Sequence, residues 1–144
     1  MSLVNDGNPT HVIDLLGMAL QTFKSRLEAE TAHVKPPLRG SQLRLLAMTP
    51  VAGVRPTALA GLVGMTKQSL GEFVTALERA GYLQVDVDPS DRRARIVSPT
   101  AKGRKLQSRI NDIIAEVETE WEAQVGPKRW ATFRAVLTSL TSAA

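Results

Sequence analysis

The apolar period of this chain changes once and then changes back. Up to Ala80 apolar residues recur every three or four positions, from Tyr82 to Ser98 they alternate, and beyond Thr100 the longer spacing returns. That order places one short β-hairpin between helical segments, which makes the expected class mainly α (α+β). Val12, Leu15, Leu16, Ala19, Leu20, Phe23 and Leu27 form one stripe and predict an amphipathic helix over about Pro9 to Thr31. Pro36-Pro37 ends it. A shorter helix, about Arg39 to Met48, turns Leu43, Leu46 and Ala47 inward, and Pro50 to Arg55 is a loop. Thr57 to Val63 and Thr66 to Ala80 read as two helices parted only by Gly64-Met65. Gly81 suits the left-handed position that closes a helix, with Tyr82 packing back on it.

The alternating stretch reads as a strand from Tyr82 to Val87, a turn at Asp88-Pro89-Ser90-Asp91, and a return strand from Ala94 to Ser98. Ser98-Pro99 ends the second strand without an apolar residue, so that strand is expected to be short. Thr100 is a candidate N-cap for a long helix to about Gln124 with the stripe Leu106, Ile110, Ile113, Ile114, Val117, Trp121 and Val125. Gly126-Pro127 breaks it, and Trp130, Phe133, Leu137 and Leu140 give the last helix an apolar face.

Charge narrows the function. Eighteen Lys+Arg against fourteen Asp+Glu leave a net charge of +4, which points to a polyanionic partner. The distribution says more than the total. Arg92 to Arg109 holds seven basic residues and no acidic one, whereas Asp112 to Glu122 holds five acidic residues and no basic one. No cysteine is present, which excludes disulfides, thiolate metal sites, cysteine nucleophiles and thiol switches. Apolar runs are too short to span a membrane. Met1 to Asp6 lacks the basic start and apolar core of a secretory signal, and a cytoplasmic location is expected.

The helix pair from Thr57 to Ala80 carries the spacing of a helix-turn-helix. Ala60 is small where the helices cross, Gly64 lies in the turn, and Leu70 packs the second helix steeply on the first. With Leu70, Phe73, Val74 and Leu77 inward, the outer face of the second helix carries Gln68, Glu72, Thr75 and Arg79, flanked by Lys67, Ser69 and Gly71. Short polar side chains at its N-terminal half suit a helix inserted in a major groove. The hairpin that follows bears Arg92, Arg93 and Arg95, suited to the negative potential of a narrow minor groove. Asp91, two residues before Arg93, is expected to hold that guanidinium extended by a charge-assisted pair.

The runs Leu59 to Leu70, Leu77 to Leu83, Asp88 to Arg95 and Thr100 to Arg104 together resemble the MarR family of winged-helix transcriptional regulators, most specifically in Asp88-Pro89-Ser90-Asp91-Arg92-Arg93-Ala94. The motifs cover about Arg55 to Arg104; the flanking helices match only in order and length. The resemblance implies a homodimer built from terminal helices, bound to pseudo-palindromic double-stranded DNA, and often released by a small aromatic or anionic effector. It divides the chain into an N-terminal dimerisation helix (1–38), a winged helix-turn-helix (39–99) and C-terminal dimerisation helices (100–144). By position it places groove-reading residues on Thr66, Lys67, Gln68 and Ser69 and the outer face beyond, with Glu72 and Thr75, and a minor-groove arginine on Arg93, oriented by Asp91. Arg92, Arg95 and, near the start of the preceding helix, Arg55 and Thr57 complete the DNA contacts expected. Glu72 departs from the basic or neutral residue many members carry there, which leaves base preference open.

Two other readings compete. For an enzyme, His11 and His33 stand far apart without ligand spacing, and Gly61, Gly64 and Gly71 form no phosphate loop. Asp86, Asp88 and Asp91 read more simply as an acidic hairpin turn than as a cation site, and no cofactor is expected. For a winged helix that binds protein rather than DNA, Lys67, Arg92, Arg93 and Arg95 on one side are the wrong chemistry, since such surfaces use apolar anchors. Nothing in the sequence identifies an effector site.

Overall fold

The computed structural model describes residues 11–142. Its order is α1 (Val12–Glu30), α2 (Gly40–Met48), α3 (Pro56–Val63), α4 (Lys67–Arg79), β1 (Leu83–Asp88), β2 (Asp91–Pro99), α5 (Ala101–Val125) and α6 (Pro127–Thr141). This is the mainly α order with one hairpin expected from the two changes of period, and the winged helix-turn-helix arrangement that the resemblance implies. The start of the first predicted helix at Pro9 lies outside the described residues.

Local chemistry sets the element ends. α4 stops in a left-handed closure: Gly81 has φ of 85°, its N–H donates to Glu78, and the Tyr82 N–H donates to the Leu77 carbonyl. Gly64 closes α3 in the same conformation, with φ of 69°. Thr66 caps α4 by accepting the Ser69 N–H at 3.1 Å, and Thr100 caps α5 by accepting that of Gly103 at 3.0 Å. The Thr100 hydroxyl donates in turn to the Gly81 carbonyl at 2.6 Å, so the end of α4 and the start of α5 share one side chain.

The core gathers under the helix-turn-helix. Leu43, Leu45 and Leu46 of α2, Leu59 of α3, Leu70 and Leu77 of α4, Leu83 and Val97 of the hairpin, and Ile110 and Ile113 of α5 are all buried. Leu45 was not among the inward residues expected from the pattern; Ala47 and Phe73, which were, are only half-buried. Two polar contacts tie the helices together across this core. Gln107 of α5 is buried and donates to the carbonyls of Leu46 and Thr49 at 2.7 and 2.8 Å, satisfying the end of α2. Glu28 of α1 accepts the Gly40 N–H at 2.6 Å at its start.

The hairpin corrects one expectation. β2 runs for nine residues to Pro99 rather than stopping short. Pro99 pairs with Leu83 at the end of the ladder, where the missing N–H costs little, and it is buried beside Gly103. On the far side of β2, Val54 exchanges both backbone hydrogen bonds with Val97 at 2.9 and 2.8 Å. The loop before α3 therefore acts as a third strand, and β2 lies between it and β1.

The outer helices are unfinished. No residue of α6 is buried, and Val12, Ile13, Leu15 and Met18 of α1 are all more than half exposed. Phe23, Trp121, Trp130 and Phe133 stack in series, with centroids 4.8, 6.4 and 5.7 Å apart, along a groove between α1, α5 and α6. No described helix is long and apolar enough to cross a membrane.

Candidate nucleic-acid interface

α4 presents the polar face that its sequence demands. Leu70, Val74 and Leu77 anchor it in the core, while Lys67, Gln68, Ser69, Glu72, Thr75 and Arg79 are exposed. Lys67 and Gln68 occupy the first turn, where a helix inserted end-on reaches furthest. Thr66 precedes that turn, and its oxygen is committed to the cap. Thr57 is exposed at the start of α3. A cleft of about 210 Å³ separates the start of α3 from α4 and the hairpin; Thr57, Lys67, Gly71 and Arg95 line it.

The hairpin tip is built on a bulge. Val87 pairs with Arg95, but the next residue, Asp88, pairs with Asp91. Arg92, Arg93 and Ala94 therefore stand outside the ladder, and a bulge of this kind re-aims the side chains it carries. Arg92, Arg93 and Arg95 are all exposed, and among the described residues none is within ion-pair distance of a carboxylate.

Asp91 acts differently from the expected guanidinium clamp. Its Oδ1 accepts the backbone N–H of Arg93 at 3.0 Å, and the Arg93 side chain has no bond to it. A side chain two residues back can close a short Asx turn, whereas gripping the guanidinium would fold the long side chain back on itself. The carboxylate shapes the bulge and leaves the cation free.

Arg55, expected to contact phosphate, is half exposed and is also engaged within the chain: its Nε and Nη2 donate to Asp88 Oδ2 at 3.0 and 2.7 Å. Asp88 is a hub. Its other oxygen accepts both the N–H and the hydroxyl of Ser90, at 2.9 and 2.8 Å. These bonds, those from Ser90 first and the Arg55 guanidinium next, hold its carboxyl down at about 2. The pair spans 33 residues, and no local spacing rule announces it.

Basic residues beyond the hairpin have separate tasks. Lys102 donates to the Ala80 carbonyl at 2.9 Å and sits 4.4 Å from the Tyr82 ring centroid, so it serves the end of α4. Arg109 reaches Glu30 and Glu116, and Arg26 reaches Glu30 and Glu120, fastening α1 to α5. Glu116 and Glu120 of the acidic run are thereby occupied far along α5 from the hairpin. Among the described residues no three His, Asp or Glu side chains converge as metal ligands would.

No family model matches the chain. Over 133 residues, 90% of this chain and 98% of the relative, it is 26% identical to the transcriptional regulator HosA of Escherichia coli O111:H-. Among solved structures it is similar to CouR from Rhodococcus jostii RHA1 bound to p-coumaroyl-CoA, at 19% identity and TM-score 0.77 over 94% of each chain. It is similar to MepR of S. aureus in a complex with DNA, at 20% identity and TM-score 0.77 over 93% of this chain and 98% of that one. The reduced form of MarR from E. coli follows at 16% identity and TM-score 0.76, over 93% and 98%. The chain thus has the winged helix-turn-helix fold of these MarR, CouR and MepR structures.

Proposed function

We propose that this chain is a sequence-specific DNA-binding transcriptional regulator, acting as a homodimeric repressor that a small-molecule effector releases. One observation carries the DNA reading: an exposed polar face on α4 stands on the same module as three exposed hairpin arginines without carboxylate partners. In this reading Lys67, Gln68, Ser69, Glu72 and Thr75 enter the major groove, with Thr57 and Thr66 at its edge. Arg92 and Arg93 follow the minor groove beside it, and Arg95 meets the backbone. Asp91 contributes by shaping the bulge.

The dimer reading rests on unfinished packing. α1 and α6 leave Val12, Leu15, Met18, Phe133, Val136 and Leu140 exposed, more apolar surface than scattered residues account for. A second copy intertwined through residues 1–38 and 100–144 covers it and sets two α4 helices at one spacing. The effector reading has less behind it: a groove of about 680 Å³ beside Trp121 and Trp130, with Lys128 and Arg129 among its lining, fits an aromatic anion.

The test is a fluorescence-anisotropy titration of genomic fragments beside analytical ultracentrifugation. A dimer at micromolar concentration that prefers one pseudo-palindromic fragment over random duplex is expected. About three phosphate contacts per protomer give a slope of log K against log salt near −5. A monomer, or a slope near zero, would overturn the reading.

A further inference from the structure

We infer that Arg55 and Asp88 form a tether that fixes the wing relative to α4, which makes both of them positioning residues for DNA binding and neither a DNA contact. The inference rests on the DNA-binding reading above. Its geometric basis stands apart from that reading.

The wing is a two-stranded ribbon, and such a ribbon alone twists and bends readily. Here it is held at two heights. At its base, Val54 pairs with Val97 through both backbone bonds. One residue later Arg55 caps α3, and its side chain reaches past β2 to the last residue of β1. The residue that begins the first helix of the helix-turn-helix thus also grips the hairpin where the bulge begins. Asp88 is buried, with 9% side-chain exposure, while Arg55 is about half exposed at 51%. Asp88 accepts four hydrogen bonds, two from Arg55 and two from Ser90. Ser90 belongs to the turn, so the carboxylate fastens the turn to itself and the whole tip to α3.

Arg92 and Arg93 leave the ladder immediately beyond this point. Their direction relative to Lys67 and Gln68 therefore depends on where Asp88 is held. Two guanidinium N–H groups, Nε and Nη2, converge on the one oxygen Oδ2, so the planar group is held by two of its edges where an ammonium would act as a point charge. Lysine at 55 keeps the charge and loses that geometry.

Simple electrostatics and the tether predict opposite signs. Removing a carboxylate beside a polyanion site raises affinity by simple electrostatics, whereas losing the tether lowers it. The experiment is a double-mutant cycle of Arg55→Ala, Asp88→Asn and the pair, read as affinity for a selected duplex at several salt concentrations. Amide hydrogen exchange of Ser90 and Arg93 without DNA is the second readout. Expected are a five- to tenfold loss for each single variant, a double variant no weaker than either, and an unchanged salt slope. Faster exchange at Ser90 and Arg93 is expected in both single variants, with Arg55→Lys restoring little. Were Arg55 a phosphate contact, Arg55→Ala would flatten the slope by about 0.9 per protomer. Asp88→Asn would then leave affinity equal or higher, and that pair of results overturns the tether. Should the wild-type chain bind no duplex, the DNA reading falls, and exchange at the two amides still decides whether the tip is held.

Discussion

Gly103, in the first turn of α5, packs backbone to backbone on Tyr82: a Cβ at position 103 would stand 2.0 Å from the Tyr82 carbonyl oxygen. That oxygen accepts the Thr100 N–H at 3.1 Å, so it cannot withdraw without opening the junction between hairpin and helix. Alanine would favour the isolated helix by about 1 kcal/mol. The clash outweighs that gain. Gly103→Ala is expected to destabilise the fold by about 1–3 kcal/mol or more, seen as a lowered Tm in thermal unfolding. An unchanged Tm would show that the junction yields.

Gln107 presents a different test, because its amide is the only side-chain partner of two carbonyls at the end of α2 among the described residues. Gln107→Leu keeps the volume and leaves Leu46 and Thr49 without that donor. A loss of about 1–3 kcal/mol in urea unfolding is expected from the desolvated carbonyls. Gln107→Glu should be at least as damaging, since it turns a negative charge toward them. A variant as stable as wild type would mean that water replaces the amide.

Acid should reach the wing late. A carboxylate held below its ordinary value supports the folded state fully above that value, 3.8 for Asp88, and withdraws the support as pH falls toward about 2. Carboxyl chemical shifts followed by NMR should place the Asp88 midpoint near 2. Because Ser90 is the larger cause, Arg55→Ala should raise that midpoint only part of the way to its ordinary value. A midpoint near 4 in the wild type would contradict the hydrogen-bonded hub.

The proposed division of labour on DNA separates two substitutions. Arg93→Ala should weaken binding to any duplex with modest loss of discrimination, since it senses groove potential. Gln68→Ala should relax preference at one or two base pairs, by about 1–3 kcal/mol if the amide contact is bidentate. Competition binding against single-base operator variants measures both. Equal losses on selected and random duplex for both variants would refute it.

How much of this was legible in the sequence follows the range of each interaction. The helices and the hairpin were readable because periodicity, Gly81 and Gly126-Pro127 act within a few residues. The exposed face of α4 followed from the same arithmetic. The bulge that displaces Arg92 and Arg93 was not readable, since register depends on both strands at once. Asp91 was matched to the right residue and the wrong atom, a distinction between side chain and backbone that spacing does not carry. Arg55 was placed on the DNA because it is basic and near α3; its partner lies 33 residues away. The Gln107 contacts span 58 and 61 residues and left no local trace.

α5 is one uninterrupted helix of 25 residues, pinned at one end by Thr100 and Gly103 and carrying Trp121 near the other. At about 1.5 Å per residue it is roughly 37 Å long. In the proposed dimer such a rod acts as a gauge. Each added residue would turn the reading head by about 100° about the rod axis as well as advancing it. Drift in length by single residues would throw the two heads out of phase with the duplex, and only changes near whole turns would keep them facing the same side. In that dimer the permissible distance between half-sites would be written as a number of helical turns, and mutation would move it only in steps.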